Sequence, residues 1–190
     1  MSSVLKPPAG MTVAEFLAWD APGPDRWQLV DGEPVAMAPA SRTHGTLQGE
    51  FGRLIGNHLT APGNNCTLVT APGIVPRVRT NENFRIPDLA VTCTRYDTEE
   101  YDVSEPVLIV EILSPSNAHD TRGAVLRYMT IPSAHEILVL HSVEIRAELL
   151  RRSPDPPWPQ MTLASDDTVT LESIGFSAPL ASFYRTATAA

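Results

Sequence analysis

The chain has 190 residues, 43% of them hydrophobic and 19% charged, which fits one domain with a full core of its own. A formal net charge of −8 excludes a broad basic surface for sequence-independent nucleic-acid binding, though not a local basic groove. No apolar stretch reaches the ~18 residues of a membrane span and the N-terminus has no signal-peptide apolar core, so no membrane contact and a cytoplasmic location are expected.

Residues 1–10 read as a flexible arm, and residues 11–190 as a single domain. Thr12-Val-Ala-Glu15 has the form of a capping box and opens a short helix to about Trp19. Ala21-Pro-Gly-Pro-Asp25 breaks it. Trp27–Val30 and Glu33–Met37 then form a hairpin around the two-residue turn Asp31-Gly32, with Pro34 placing the second strand at an edge. From about Thr43 to Leu59, Leu47, Phe51, Leu54, Ile55 and Leu59 recur at helical spacing.

Strands are expected near Cys66–Thr70 and Ile74–Arg79, then at Ile86–Cys93 and Val107–Leu113, with a polar loop carrying Asp97, Glu99, Glu100 and Asp102 between the last two. Ser114–Asp120 turns into a helix around Arg122–Thr130, which Ile131-Pro132 stops. Ile137–His141 and Glu144–Arg151 read as a second hairpin. Two weak strands near Met161–Leu163 and Thr168–Leu171 precede a docking segment with Phe176, Leu180, Phe183 and Tyr184. The pattern is α+β, with a mixed, mostly antiparallel sheet flanked by helices.

Cys66 and Cys93 are the only cysteines. They show no metal-ligand spacing, so both are expected as free thiols buried in strands.

Two acids stand out. Asp88 lies in Phe84-Arg-Ile-Pro-Asp-Leu-Ala-Val91, and Glu111 interrupts the apolar run Val107-Leu-Ile-Val-Glu-Ile-Leu113. A carboxylate in a strand that is apolar on both faces is costly without a metal ion or a paired charge. If the two strands pair antiparallel with residue numbers summing to 199, Asp88 faces Glu111 across the ladder. Opposed Cβ atoms are then about 5 Å apart. That is close enough for both carboxylates to hold one Mg²⁺, whose oxygen ligands sit at about 2.1 Å. A slip of one residue would put the two acids on opposite faces. In the competing reading Asp88 is a turn residue after Pro87, and Glu111 pairs with a buried arginine.

These segments resemble a bacterial family of restriction-endonuclease-like proteins, the Uma-two-like group, within the PD-(D/E)XK nuclease superfamily. The resemblance lies in Met11–Leu17, Trp27–Glu33, Met37–Ser41 with His44, Arg85–Val91, Val110–Ser116, Asp120–Arg122 with Tyr128, and Ile131–Glu136. It implies a restriction-endonuclease-like core, and Asp88 and Glu111 as metal-binding acids, with the Ile112 carbonyl as a possible third ligand. It further implies Mg²⁺- or Mn²⁺-dependent hydrolysis of DNA by a homodimer. Related sequences carry a histidine at His44, where it would orient a phosphate or a water at a helix N-terminus.

The superfamily's lysine is missing. Leu113 stands two residues after the acid, Ala124 stands where relatives carry lysine on the following helix, and the single lysine of the chain is Lys6. Arg122 and Arg127 are the nearest cations. Either could neutralise developing charge, but arginine is too basic to act as a general base. Gln28 replaces a glutamate common in relatives. These departures favour, as the alternative, a catalytically inactive nuclease-fold protein that binds nucleic acid or protein. Glu33 reads as a surface acid, Asp120 of His119-Asp120 as a helix-start residue, and Ser114 and Ser116 as turn residues.

Overall fold

A computed structural model describes residues 10–187 apart from positions 96, 116 and 156. Lys6, the rest of the arm before residue 10, and Ser116 lie outside the described residues. Helix α1 spans Val13–Leu17, with the Thr12 hydroxyl accepting from the Glu15 N–H and the Glu15 carboxylate accepting from the Thr12 N–H. Strands β1 (Trp27–Val30) and β2 (Glu33–Ala36) make the hairpin. Its Asp31-Gly32 turn has φ of 50° and 84°, the left-handed pair that suits the twist of a tight hairpin.

Helix α2 covers Arg42–Leu59, capped by the Ser41 hydroxyl on the His44 N–H. Leu47, Phe51, Ile55 and Leu59 are buried along one face, as their spacing requires. A six-stranded sheet follows in the order β3 (Thr67–Thr70), β4 (Leu89–Thr92), β5 (Pro106–Leu113), β6 (Glu136–His141), β7 (Arg146–Arg151), β8 (Gln160–Ala164). All neighbours are antiparallel except β5 and β6, which helix α3 (Ala118–Tyr128) connects.

Side-chain alternation divides the sheet into two faces. Leu108, Val110 and Ile112 point into a core with α2 and the C-terminal segment. Ile109 packs on the other face with Ala124, Val125 and Tyr128 of α3. Because both faces are covered, β5 reads as a nearly continuous apolar run.

Three expectations are corrected. Ile74–Arg79 is not a strand: Ile74 makes one isolated bridge to Arg85, and the chain turns away through Pro76 and a left-handed Arg79 (φ 46°). The C-terminal docking segment also contains a strand, β10 (Phe176–Pro179), paired antiparallel with β9 (Thr168–Leu171); its Phe176, Leu180, Phe183 and Tyr184 are buried as expected. Most consequential, Cys66 and Cys93 are joined in a disulfide. The β3–β4 ladder pairs Thr67 with Thr92, so the next step outward brings the two cysteines face to face.

Candidate metal centre

The ladder between β4 and β5 pairs Leu89 with Val110, Ala90 with Ile109 and Val91 with Leu108, so the residue numbers sum to 199. A bulge at Val91/Thr92 shifts the far end, pairing Thr92 with Pro106, but the end that matters keeps the register. Pro87 has no N–H to give a ladder, and β4 starts only at Leu89. Asp88 therefore sits just beyond the strand, opposite Glu111.

Each acid is held from several sides. Asp88 Oδ2 accepts from the Ile112 N–H at 2.7 Å, its Oδ1 meets His44 Nε2 at 2.7 Å, and its carbonyl accepts from Gln48 Nε2 at 2.8 Å. His44 and Gln48 lie one turn apart on α2, so a single helix face grips the residue. Glu111 Oε1 accepts from the Tyr128 hydroxyl at 3.0 Å. The Ile112 carbonyl shares its strand edge with the Ile112 N–H, and Asn117 Nδ2 donates to it at 3.2 Å.

The environments of the two acids differ. Burial, reinforced by the charge of Asp88, pushes the Glu111 carboxyl up to about 8; Tyr128, Arg85 and the Asp88 backbone act in the opposite sense. Burial also drives the Tyr128 hydroxyl well above its ordinary range, with the Glu111 charge adding to it. A divalent cation between the two acids would favour the ionised form of both.

Asp88, Glu111 and His44 open together onto a cleft of about 520 Å³, which Gln28, Arg85, Ser114, Asn117, Asp120 and Ala124 also line. Two carboxylates and one carbonyl suit a hard cation that keeps several waters, as Mg²⁺ does. Among the described residues no group of three or more His, Cys, Asp or Glu side chains could hold a metal ion, so water or substrate would have to complete the shell.

The structure does not bring Arg122 and Arg127 to this cleft. Arg122 clamps Glu148 on β7 with both terminal nitrogens, and Arg127 binds Asp31 of the hairpin turn and the Gly123 carbonyl. Glu33 is exposed on β2 and away from the cleft lining. Asp120 stands in the first turn of α3 at the cleft edge, and His119 is fully exposed beside it.

Sequence reasoning gave no role to Arg85, Tyr128, Gln48 or Asn117. Gln48 had a readable signal, since it follows His44 by one helical turn. Arg85 had a weaker one, a charge set between Phe84 and Ile86 three residues before Asp88. Tyr128 meets Glu111 only through the crossing of α3 over β5, which no local pattern encodes.

Residues 13–181 match the model of the Uma2 family, described as "Putative restriction endonuclease". Two proteins of Synechocystis sp. (strain ATCC 27184 / PCC 6803 / Kazusa), both described as uncharacterized, are related in sequence. The protein slr1290 is 29% identical over 173 residues, covering 90% of each chain. The protein sll1609 is 26% identical over 152 residues, covering 78% of this chain and 84% of its own. In structure the chain resembles a crystal structure titled as a putative nuclease belonging to DUF820 from Anabaena variabilis ATCC 29413. The TM-score is 0.73 at 15% identity, over 92% of this chain and 98% of that one.

Proposed function

This chain belongs to the Uma2 family of putative restriction endonucleases, and from that premise we propose that it is a Mg²⁺- or Mn²⁺-dependent endonuclease that hydrolyses DNA phosphodiester bonds. Its fold is that of a nuclease-like protein. The observation that carries the reading is the placement of Glu111, a buried carboxyl in β5 opposite Asp88 and open to the same cleft.

Asp88, Glu111 and the Ile112 carbonyl would hold the ion. When bound, it would polarise the scissile phosphate and lower the pKa of a water. The remaining side chains position these ligands: His44 fixes one oxygen of Asp88, Tyr128 one oxygen of Glu111, and Asn117 the Ile112 carbonyl. We take the protein to act as a homodimer, which sedimentation equilibrium would test.

Nicking of supercoiled plasmid in Mn²⁺ tests the reading. Wild type is expected to nick and Asp88→Ala to be inactive; equal activity in the two would sink the assignment. A specific observation favours the alternative, a catalytically inactive binding module: Ala124, at the position where the family resemblance implies a lysine, lines the cleft. If wild type is inert but Ala124→Lys nicks, the scaffold binds metal and has lost its catalytic cation.

A further inference from the structure

Arg85 is buried, with 4% of its surface exposed, yet it lines the same cleft as Asp88 and Glu111. Its backbone is fixed on both sides. Phe84 exchanges hydrogen bonds with Leu29 of β1 at 2.8 and 3.0 Å, and Arg85 exchanges two with Ile74 at 2.8 Å. Gly73 permits this close approach, because a Cβ there would come within 2.0 Å of the Phe84 ring. The Arg85 side chain lies against the Tyr128 hydroxyl, and its Nε has no hydrogen-bond partner among the described residues.

The other inward-facing arginines have acids or carbonyls to meet, although Arg127 Nε, like Arg85 Nε, has no hydrogen-bond partner among the described residues. Arg122 has Glu148, Arg127 has Asp31, and Arg151 has Glu136. Arg152, which has no acid, donates to the Ala134 and Ile131 carbonyls and covers the face of Trp158. Arg85 alone among these combines burial, a place in the cleft wall and no carboxylate within ion-pairing distance among the described residues. A guanidinium stays charged at any physiological pH, and a buried charge without an anion is costly.

We propose that Arg85 is the phosphate-holding cation of this cleft, taking the charge-neutralising part of the role that the missing lysine has left open. The proposal rests on the reading of the cleft as a nucleic-acid site. The planar fork of Arg85 matches two oxygens of a phosphodiester, and its fixed backbone lets it meet the phosphate with little reorganisation. It neutralises charge without accepting a proton, so the water is oriented by other groups.

The test is fluorescence anisotropy of a labelled DNA duplex in Ca²⁺ across a salt series, beside calorimetric titration of each protein with Mn²⁺. Arg85→Gln is expected to weaken DNA binding about tenfold, to lower the slope of log K against log salt by about 1, and still to bind Mn²⁺. Arg85→Lys should keep the wild-type slope. DNA affinity and slope unchanged in Arg85→Gln would overturn the proposal. If that variant does not fold, as judged by its circular dichroism melt, Arg85→Lys decides: DNA affinity lowered severalfold at an unchanged slope, the charge kept and the two-oxygen fork lost, supports the proposal, and affinity equal to wild type overturns it. The two readings fail separately. Arg85-dependent DNA binding without a Mn²⁺ titration sinks the metal centre alone, whereas Mn²⁺ binding with DNA affinity indifferent to Arg85 sinks this proposal alone.

Discussion

At position 111 a carboxylate takes the place of an apolar side chain in a strand covered on both faces. The physical consequence is a pH dependence of stability. Glu111 is raised from 4.5 to about 8 in the folded protein, so the folded state binds a proton that the unfolded state has released between those values. The metal-free protein therefore loses stability as pH rises through this window, by an amount on the order of a few kcal/mol. Glu111→Gln keeps an acceptor for Tyr128 and removes the ionisation. Thermal melts in chelator should show the wild type falling between pH 5 and 8.5 and Glu111→Gln flat; parallel profiles would place the titration elsewhere. The two acids were legible in the sequence, because charge in an apolar run points to them; their opposition followed only from an assumed register, which the β4–β5 ladder has at Leu89–Val91. The partners that hold the two acids were not, since His44, Gln48 and Tyr128 arrive from helices α2 and α3.

Among the elements, α3 is fixed to the sheet by a polar anchor away from the cleft. Glu148 in the middle of β7 is 1% exposed. It accepts from Arg122 at 2.6 Å, from Gln160 at 2.9 Å, and meets His141 Nε2 at 2.9 Å. Arg122 above all holds its carboxyl down to about 2, so the stabilisation is present above the unfolded value of 4.5 and lost as pH falls toward 2. Arg122→Ala leaves a buried carboxylate with fewer donors and should cost about 1–3 kcal/mol. A lower melting temperature with unchanged Mn²⁺ affinity is the expected result. A matching fall in Mn²⁺ affinity would return Arg122 to the metal site. The long periodicity of α2 and the Asp-Gly hairpin were readable because their signals are local. The supposed strand at Ile74–Arg79 failed because it has the composition of a strand but only one bridge to pair it. Strand β10 was hidden for the opposite reason: its four residues end in Pro179, and only pairing with β9 makes them a strand.

For the molecule as a whole, the disulfide ties edge strand β3 to β4, the strand that leads out of Asp88. Closing a loop with a sequence separation of 27 should add about 3 kcal/mol by restricting the unfolded chain. Cys66→Ser with Cys93→Ser is therefore expected to melt several degrees lower in non-reducing buffer and to match the wild type in reductant; equal melts in both buffers would mean that the bond does not form. The sequence placed both cysteines in strands but not opposite one another, because register across a hairpin-like pair depends on the whole intervening loop. The overall plan, a mixed and mostly antiparallel sheet flanked by helices, was legible from alternating runs and breakers; the parallel pairing of β5 with β6 around α3 was not.

The whole account turns on whether a divalent ion sits between Asp88 and Glu111. Anomalous diffraction from a crystal soaked in Mn²⁺ measures this directly. The account predicts one anomalous peak in the cleft, within about 2.2 Å of oxygens from both carboxylates, and its disappearance in Glu111→Gln. A fully soaked wild-type crystal with no peak there, or with a peak bound only by other residues, would contradict it.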